Sequence, residues 1–502
     1  MEITWLGRAA LTAYSVVLAL LCIYGLHRYF LVLKFYQVRK RTPKPAGTLA
    51  ELPHVTIQLP MYNESLVAKR VIEHACAIEY PADKLEIQVL DDSTDDTVEI
   101  VRETVAAMRA AGHHVTLRHR VDRTGYKAGA LEEGLKDASG EYIAIFDADF
   151  LPPTNILRET VQYFSDPKVG MVQARWDHLN RASSLLTKAQ AILLDGHFVI
   201  EHTARNRSGR FMSFNGTAGI WRRSTISDAG GWQHDTLTED LDLSYRAQLK
   251  GWQFVFLPDL TAPAELPPEM NAFKAQQHRW TKGGAQTCAK LLPSVMRSNN
   301  TWRVKLEAFF HLTSCSVYIL MVLLSILVGP AMVAKLSIGT PVWQLAIDFL
   351  LFFVGTGSAL AFYVVSQRQL SRSWFDICCE VPGLMAIGIG IAFNNAIAAV
   401  EGFFGKAGEF VRTPKFGDSA TSGAGNWQKK VSGLKFKGAW KAWAELGLAL
   451  YISGFLASFF FFDNWLERVA AAVPFLGLFI FGYFYVAMQT FFGQYLAMRR
   501  AA

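Results

Sequence analysis

Long apolar segments flank a segment of ordinary composition, and this arrangement limits the possible folds more than any other feature. Residues 5–33 and most of residues 305–497 are apolar, whereas residues 51–290 have the composition of a globular domain. A helix needs about 20 apolar residues to cross a bilayer, and several apolar stretches reach that length. The 502-residue chain is therefore predicted to be an integral membrane protein, with a soluble domain inserted after the first membrane helix.

The basic residues indicate which ends of the apolar stretches face the cytoplasm. Clusters of Lys and Arg follow the first stretch at residues 28–44, precede a later one at 429–437 and end the chain at 499–500. Such clusters mark cytoplasmic flanks, so the soluble domain is predicted to be cytosolic, at a bacterial inner membrane or alternatively a Golgi membrane. Although the net charge is +7, nucleic-acid binding is not expected, because the charge lies at the membrane edges.

About five stretches are predicted to span the membrane, at one helix for each long apolar run. They lie at residues 5–33, 308–334, 343–366, 444–462 and 469–497. The stretch 376–404 is too short to cross twice, which takes about 40 residues, and a single crossing would place the basic segment 406–440 outside. It is therefore predicted to form helices at the inner interface.

The chain is accordingly divided into four predicted segments. The first contains the membrane helix and a proline-containing linker, and the third contains a helix at the membrane surface. The boundaries are 1–45 for the helix and linker, 46–270 for the soluble domain, 271–300 for the surface helix and 301–502 for the remaining membrane region.

The soluble segment has the element order of a nucleotide-binding α/β domain. Apolar runs of this length are typical of buried strands. They occur at residues 54–59, 85–90, 114–119, 142–146 and 170–176. Helices are predicted between the first four runs, and this alternation predicts a parallel sheet with right-handed crossovers.

Two carboxylates follow the fourth of these strands. Asp147 and Asp149 are separated by one residue, so in an extended chain they point to the same side. They lie at the carboxyl end of the strand, where open α/β sheets bind ligands. Carboxylate oxygens suit a hard divalent cation beside a phosphate. A polar turn that merely ends the strand would have the same sequence, so the pattern alone leaves both interpretations open.

Further polar side chains converge on the same predicted edge of the sheet. They are Tyr62, Glu64, Asp91, Asp92 and Lys127. Taken singly, Asp92 could cap a helix and Lys127 could be a solvated helix residue. Taken together, they supply a ring and an acid for a base or ribose and a lysine for phosphate charge. With the two carboxylates they predict a nucleoside-diphosphate site.

Three motifs stand out in the second half of the soluble segment. Phe214–Gly219 is a glycine-punctuated loop that a ligand can approach closely. Asp240 begins a predicted helix over residues 240–250, and Glu239 and Asp240 could simply be favourable charges at its first turn. Arg279 and Trp280 suit a phosphate and a sugar ring, or alternatively the anchoring of a helix at the membrane surface.

The motifs occur in the order and spacing of a known family. They are Asp91-Asp92-Ser93, Gly125–Leu131, Phe146–Asp149, Phe214–Gly219, Thr238-Glu239-Asp240 and Gln276–Trp280. The chain resembles membrane-integrated family 2 glycosyltransferases, which include cellulose and hyaluronan synthases. It is most similar to the plant cellulose-synthase-like A type, which makes mannan and glucomannan. The resemblance covers most of residues 50–430, and it departs from the plant type at Thr238 and at residues 281–284.

The resemblance implies a fold and a role for each motif residue. The fold is a GT-A-like α/β nucleotide-diphospho-sugar transferase domain inserted into an α-helical transmembrane bundle. The implied donor-binding residues are Tyr62, Glu64, Asp91, Asp92, Lys127, Asp147, Gln276 and Arg279. Asp147 and Asp149 would hold Mg²⁺ or Mn²⁺. Asp240 would be the general base, with Glu239 as second choice. The implied acceptor residues are Trp280, Asn215, Gly216 and Thr217.

The implied activity is processive, inverting transfer of hexose to a growing β-linked polysaccharide that is extruded across the membrane. UDP-glucose and GDP-mannose both fit the motif residues as donor. The alternatives are a single-transfer glycolipid enzyme resembling ceramide glucosyltransferase and an inactive scaffold, which would have lost a catalytic carboxylate. The sequence predicts no oligomeric state.

One loop is expected to move with donor binding. Phe410, Arg412, Thr413 and Lys415 resemble the gating loop of related synthases and lie in the segment 406–440. This segment is expected to order over bound nucleotide. By composition alone it would be a flexible basic linker.

Overall fold

The computed structural model describes residues 5–337, 342–405, 415, 417, 439–461 and 465–501. Within these residues the soluble segment forms a seven-stranded sheet. The strands are β1 (Val55–Met61), β2 (Leu85–Asp91), β3 (Val115–His119), β4 (Tyr142–Ile145), β5 (Val169–His178), β6 (Gly219–Arg222) and β7 (Gln253–Ala264). Their order across the sheet is β3-β2-β1-β4-β6-β5-β7. Every residue of β1 and β4 is buried, as the apolar sequence of β4 predicts.

Helices cover both faces of the sheet. They are α2 (Ala68–Cys76), α3 (Thr97–Ala110), α4 (Tyr126–Asp137), α5 (Ile156–Val161), α6 (Leu185–Asp195), a π-helical turn (Gly196–His202), α7 (Thr203–Arg207), α8 (Arg223–Asp228) and α9 (Glu239–Leu249). The apolar residues of α2, α3 and α5 form the core on one face. Those of α4, α8 and α9 form the core on the other. The result is a three-layer α/β/α domain.

The predicted parallel sheet is correct for its first four strands, and one later strand departs from it. The strands β1 to β4 pair in parallel, whereas β6 is antiparallel to both β4 and β5. The chain enters β6 from the loop Phe214–Ala218 at the carboxyl edge of β4. A strand that starts at that edge must run back from it. The strands β6 and β7 were not predicted from the sequence.

The remaining helices are mostly long and apolar. They are α1 (Trp5–Val38), α10 (Met270–Arg297), α11 (Trp302–Thr313), α12 (Ser316–Ser337), α13 (Val342–Gln369), α14 (Trp374–Gly390), α15 (Ala392–Phe403), α16 (Ala439–Ser458) and α17 (Trp465–Ala501). Among the described residues, four helices are long and apolar enough to cross a membrane, or five if a bent pair counts as one span. That pair is α14 and α15, which meet at 47°. The stretch predicted to be interfacial is therefore two helices, and the number of spans stays a prediction.

The helix α10 joins the soluble domain to the membrane helices. Lys274 lies 2.8 Å from Glu445 on α16, and both side chains are almost fully buried. Lys282 lies 3.0 Å from Glu401 on α15. Because α10 carries Gln276–Trp280 between these two ion pairs, the membrane helices fix the position of that motif against the sheet.

Candidate active site

A cavity opens at the carboxyl end of β4, between the sheet and α10. It brings together many of the residues predicted from the sequence, which are Lys127, Asp147, Asp149, Asn215, Gly216, Glu239, Asp240, Gln276, Arg279, Trp280 and Lys415. Its volume is about 80 Å³. Ligand pockets are typically roughly 300–1,000 Å³, so a nucleotide-sugar requires this cavity to widen.

Asp147 is held from two sides. Its backbone N–H donates to Thr217 Oγ1 at 2.8 Å, and its Oδ1 accepts from Lys127 Nζ at 2.5 Å. The same Lys127 ammonium donates to the Gly216 carbonyl at 2.9 Å. Burial alone would lower the pKa of Lys127, but the carboxylates of Asp147 and Glu239 outweigh burial and raise it. Lys127 is therefore a fixed positive charge on the cavity wall.

Asp149 is the more buried member of the strand-end pair, with 4% of its side chain exposed. Its Oδ2 pairs with Lys415 Nζ. Its Oδ1 is buried and has no hydrogen-bond partner in the part of the chain that the structure describes. Such an orphaned carboxylate oxygen requires a partner, and beside the half-exposed Asp147 it suits a hard divalent cation.

The second carboxylate pair begins α9. Asp240 Oδ1 accepts from the backbone N–H of Leu241 at 2.8 Å. Burial, followed by the charge of Glu239, raises the pKa of Asp240 to about 7, although Leu241, Lys127 and Arg279 act in the opposite direction. A carboxylate with this pKa can both exist ionised and accept a proton near neutral pH.

Two glycines allow the cavity walls to close around this pair. Gly216 has a φ of +83°, and a Cβ there would lie 3.0 Å from Asp240 Oδ2. On α10, a Cβ at Gly283 would lie 2.6 Å from Thr238 Cγ2 and 2.8 Å from its backbone nitrogen. The two places where the sequence departs from the plant type, Thr238 and the run containing Gly283, are therefore in contact. Their contact sets the distance between α9 and α10.

Several predicted donor residues lie outside this cavity and have protein partners. The guanidinium of Arg123 lies 3.3 Å from the ring centroid of Tyr62. Asp92 forms a bidentate ion pair with Arg120, with hydrogen bonds of 2.7 and 2.6 Å. Asp91 is fully buried. These side chains, with Glu64, are at the neighbouring edges of β1 and β2 and do not line the cavity around Asp147.

Thr217 does not line the cavity, and most of the expected gating loop falls outside the described residues. Thr217, which the sequence predicts to bind the acceptor, is fully buried, and its hydroxyl accepts from the Asp147 backbone. In this position it supports the strand end. Of the expected gating loop, Phe410, Arg412 and Thr413 lie outside the described residues, whereas Lys415 reaches Asp149.

The cavity also contains residues that sequence reasoning did not select. Trp176 lies at the carboxyl end of β5, and its ring centroid is 6.5 Å from that of Trp280 at an interplanar angle of 54°. Glu265 follows β7, pairs with Arg70 at 2.7 Å and accepts from the Gly417 backbone at 3.0 Å. The segment 170–176 was predicted as a strand, without a role for Trp176 at the site; its position at the carboxyl edge of the sheet was the available signal.

Comparison with known proteins identifies the family to which the chain belongs. The fold and this cavity define a glycosyltransferase. A family profile described as glycosyltransferase like family 2 matches residues 53–283. Glucomannan 4-beta-mannosyltransferase 9 of Arabidopsis thaliana is 36% identical over 409 residues, which cover 80% of this chain and 74% of the relative. Glucomannan 4-beta-mannosyltransferase 1 of Oryza sativa subsp. japonica is 35% identical over 420 residues, covering 81% and 77%.

The chain therefore belongs to glycosyltransferase family 2 and is a hexosyltransferase. Among solved structures, it is similar to the mannosyltransferase PcManGT from Pyrobaculum calidifontis, solved in complex with GDP-Man and Mn²⁺. That match has a TM-score of 0.51 and 21% identity, and covers 78% of this chain and all of the other. It confirms the GT-A-like fold. The plant relatives give no support to a bacterial inner membrane, and the apolar helices mark a membrane protein.

Proposed function

We propose that this enzyme transfers mannose from GDP-mannose, with inversion, to a growing β-linked mannan or glucomannan. The names of its relatives support mannose as the sugar. UDP-glucose is the second candidate donor. The residues expected to contact the nucleotide base lie outside the cavity, so the cavity itself does not distinguish guanine from uracil. Processive synthesis is favoured over a single transfer to a glycolipid by the same relatives.

The observation that carries the proposal is the carboxylate of Asp240, which lines the cavity beside Glu239. A hydroxyl oxygen of the acceptor attacks the anomeric carbon of the donor sugar, and the new glycosidic bond forms there. The bond from that carbon to the phosphate oxygen breaks, and its electron pair leaves with the nucleoside diphosphate. The hydroxyl proton passes to Asp240, whose pKa of about 7 matches that task. Glu239 is the alternative base.

The leaving diphosphate requires positive charge in the cavity. Lys127 and Arg279 line the cavity and supply cationic groups. Asp147 and Asp149 would hold a divalent cation, Mg²⁺ or Mn²⁺, which would stabilise negative charge on the leaving group when bound. The orphaned Oδ1 of Asp149 supports this assignment. Lys415 pairs with the other oxygen, so a cation that used both oxygens of Asp149 would have to displace the Lys415 ammonium group.

The acceptor would leave the site along α10. Trp280 and Trp176 form an aromatic wall suited to a sugar ring. About two turns before Trp280 on the same helix, Phe273 lines a second cavity of about 690 Å³. That cavity lies among α1, α12, α13, α14 and α17. A product that passes Trp280 would enter it, with the catalytic domain on the cytosolic side.

Donor and product can be established together. The purified protein in detergent or nanodiscs would receive labelled GDP-mannose or UDP-glucose, with Mg²⁺ or Mn²⁺ and a short mannan oligosaccharide. We expect a ladder of products from GDP-mannose that a β-1,4-mannanase digests and a cellulase does not. A single added sugar on a lipid, or incorporation from UDP-glucose alone, would contradict the proposal.

A further inference from the structure

Polar side chains line up behind the loop that carries Asn215. His197 and Glu201 lie on the π-helical turn Gly196–His202, with His197 Nδ1 2.9 Å from Glu201 Oε2. On the other side of the ring, His197 Nε2 is 3.0 Å from Asn215 Nδ2. No motif of the sequence analysis included His197 or Glu201, and π-helical turns often occur at functional sites.

The far end of this line is anchored in the membrane helices. Arg205 lies 3.3 Å from Glu201 and 3.0 Å from Glu307 on α11, and His27 on α1 lies 3.1 Å from the same Glu307. Arg205 and Glu307 are almost fully buried. Buried charges that are paired in this way are expensive to move, so the position of Glu201 is fixed from behind.

The hydrogen bonds in the line have one direction. Burial would raise the pKa of Glu201, but Arg205 and His197 outweigh it and hold that pKa below its ordinary value, so the carboxylate only accepts. His197 then donates from Nδ1. The structure sets the Asn215 amide nitrogen, which is a donor, against Nε2, so Nε2 accepts this hydrogen bond.

The amide oxygen of Asn215 takes no part in these contacts. Asn215 lines the cavity, and its Oδ1 is buried with no hydrogen-bond partner among the residues that the structure describes. The next residue, Gly216, lies against Asp240 Oδ2 and accepts from Lys127. Asn215 therefore directly precedes, in the sequence, the residue that lies against the proposed general base.

We infer that His197 is a positioning residue, which holds the Asn215 amide nitrogen so that Asn215 Oδ1 accepts a hydrogen bond from a hydroxyl of the acceptor sugar. A wall that presents only an acceptor selects a sugar whose hydroxyl donates at that point. The inference rests on the proposed function, and it adds a residue that contacts neither donor nor acceptor.

A pair of amide substitutions separates the two bonds of the imidazole. In His197→Asn the shorter amide can keep the contact near Nδ1 with Glu201 but falls short of Asn215. In His197→Gln the longer amide reaches the position of Nε2. Loss of one hydrogen bond should raise the acceptor KM about tenfold in His197→Asn and in Asn215→Ala, with the donor KM unchanged. His197→Gln should restore most of the loss.

A purely structural role would give another pattern. The double variant Asn215→Ala/His197→Asn should be no worse than Asn215→Ala alone, because both changes break the same contact. The exposed His113→Asn is the matched control, and thermal midpoints of the purified proteins report folding. If His197→Asn does not fold, His197→Ala provides a second truncation.

Three results would overturn the inference: an unchanged acceptor KM in the truncations, additive effects in the double variant, or donor and acceptor KM rising together. Failure of the proposed function would look different. The wild-type protein itself would then not extend the mannan oligosaccharide from GDP-mannose.

Discussion

Two pairs of carboxylates face the same cavity, and their surroundings suit them to different chemistry. Asp147 and Asp149 each contact a lysine ammonium group, and one Asp149 oxygen has no hydrogen-bond partner among the residues that the structure describes. Asp240 adjoins Glu239, and burial with that charge raises its pKa to about 7. Carboxylates that contact cations are suited to hold a metal, whereas one with a raised pKa is suited to take a proton.

The largest effect should come from removing the proton acceptor. Asp240→Asn should lower the rate of transfer by about 10³ while GDP-mannose binding persists, because the donor groups remain. A turnover assay with a mannan oligosaccharide would measure the rate of transfer, and calorimetry would measure GDP-mannose binding. Glu239→Gln is the matched variant and should lose less. A greater loss in Glu239→Gln would reverse the assignment of the base.

Substitution of Asp149, the buried member of the other pair, should mainly weaken binding of the divalent cation. Asp149→Asn should weaken Mn²⁺ binding about 100-fold. Residues that only support metal ligands contribute up to about that factor to metal affinity, and Asp149 is proposed to be a ligand itself. Electron paramagnetic resonance of free Mn²⁺ would measure this without turnover. The exposed Asp259→Asn on β7 is the control. Equal Mn²⁺ affinity in Asp149→Asn and the wild type would remove Asp149 from the cation site.

The two pairs also differ in how far the sequence predicts their surroundings. Both lie at element ends that local patterns mark: Asp147 follows a buried apolar strand, and Asp240 lies in a helix first turn. The sheet edge that unites them follows from parallel topology. Sequence patterns therefore predicted most of the fold and the carboxylates that meet in the cavity.

What the sequence did not predict depends on contacts between distant segments. Lys415 pairs with Asp149 across 266 residues, from a segment whose composition resembles a linker. The ring of Tyr62 was expected to meet a base, but Arg123 covers it. His197 and Glu201 face Asn215 because the turn is π-helical, and no local pattern distinguished that turn from an ordinary helix.

The raised pKa of Asp240 gives a pH dependence that the other pair should not produce. A general base must be ionised, so activity should rise with pH through about 7 and level off above it. At pH 6 the value of kcat/KM should be about tenfold below the plateau. The rise should move to lower pH as divalent cation is added, because positive charge favours the carboxylate. A flat profile from pH 5.5 to 9 would exclude Asp240 as the titrating base.

The smallest effect should come from a change in the packing contact that positions Glu239 and Asp240. Thr217 holds Asp147 from the loop that precedes β6, whereas the pair at α9 depends on the close approach of Thr238 to α10 at Gly283. Gly283→Ala should cost on the order of 1 kcal/mol through overpacking, seen as a lower apparent thermal midpoint, and should lower kcat more than Mn²⁺ affinity.

The neighbouring glycine provides the control for that change. Among the described residues, a Cβ at Gly284 meets nothing within 4 Å, so Gly284→Ala should be neutral or stabilise the helix by up to about 1 kcal/mol. If Gly283→Ala weakened Mn²⁺ binding as much as kcat, the two pairs would share one support. If it changed neither, the contact between Thr238 and α10 would not position the base, and the departure from the plant sequence at residues 281–284 would have no bearing on catalysis.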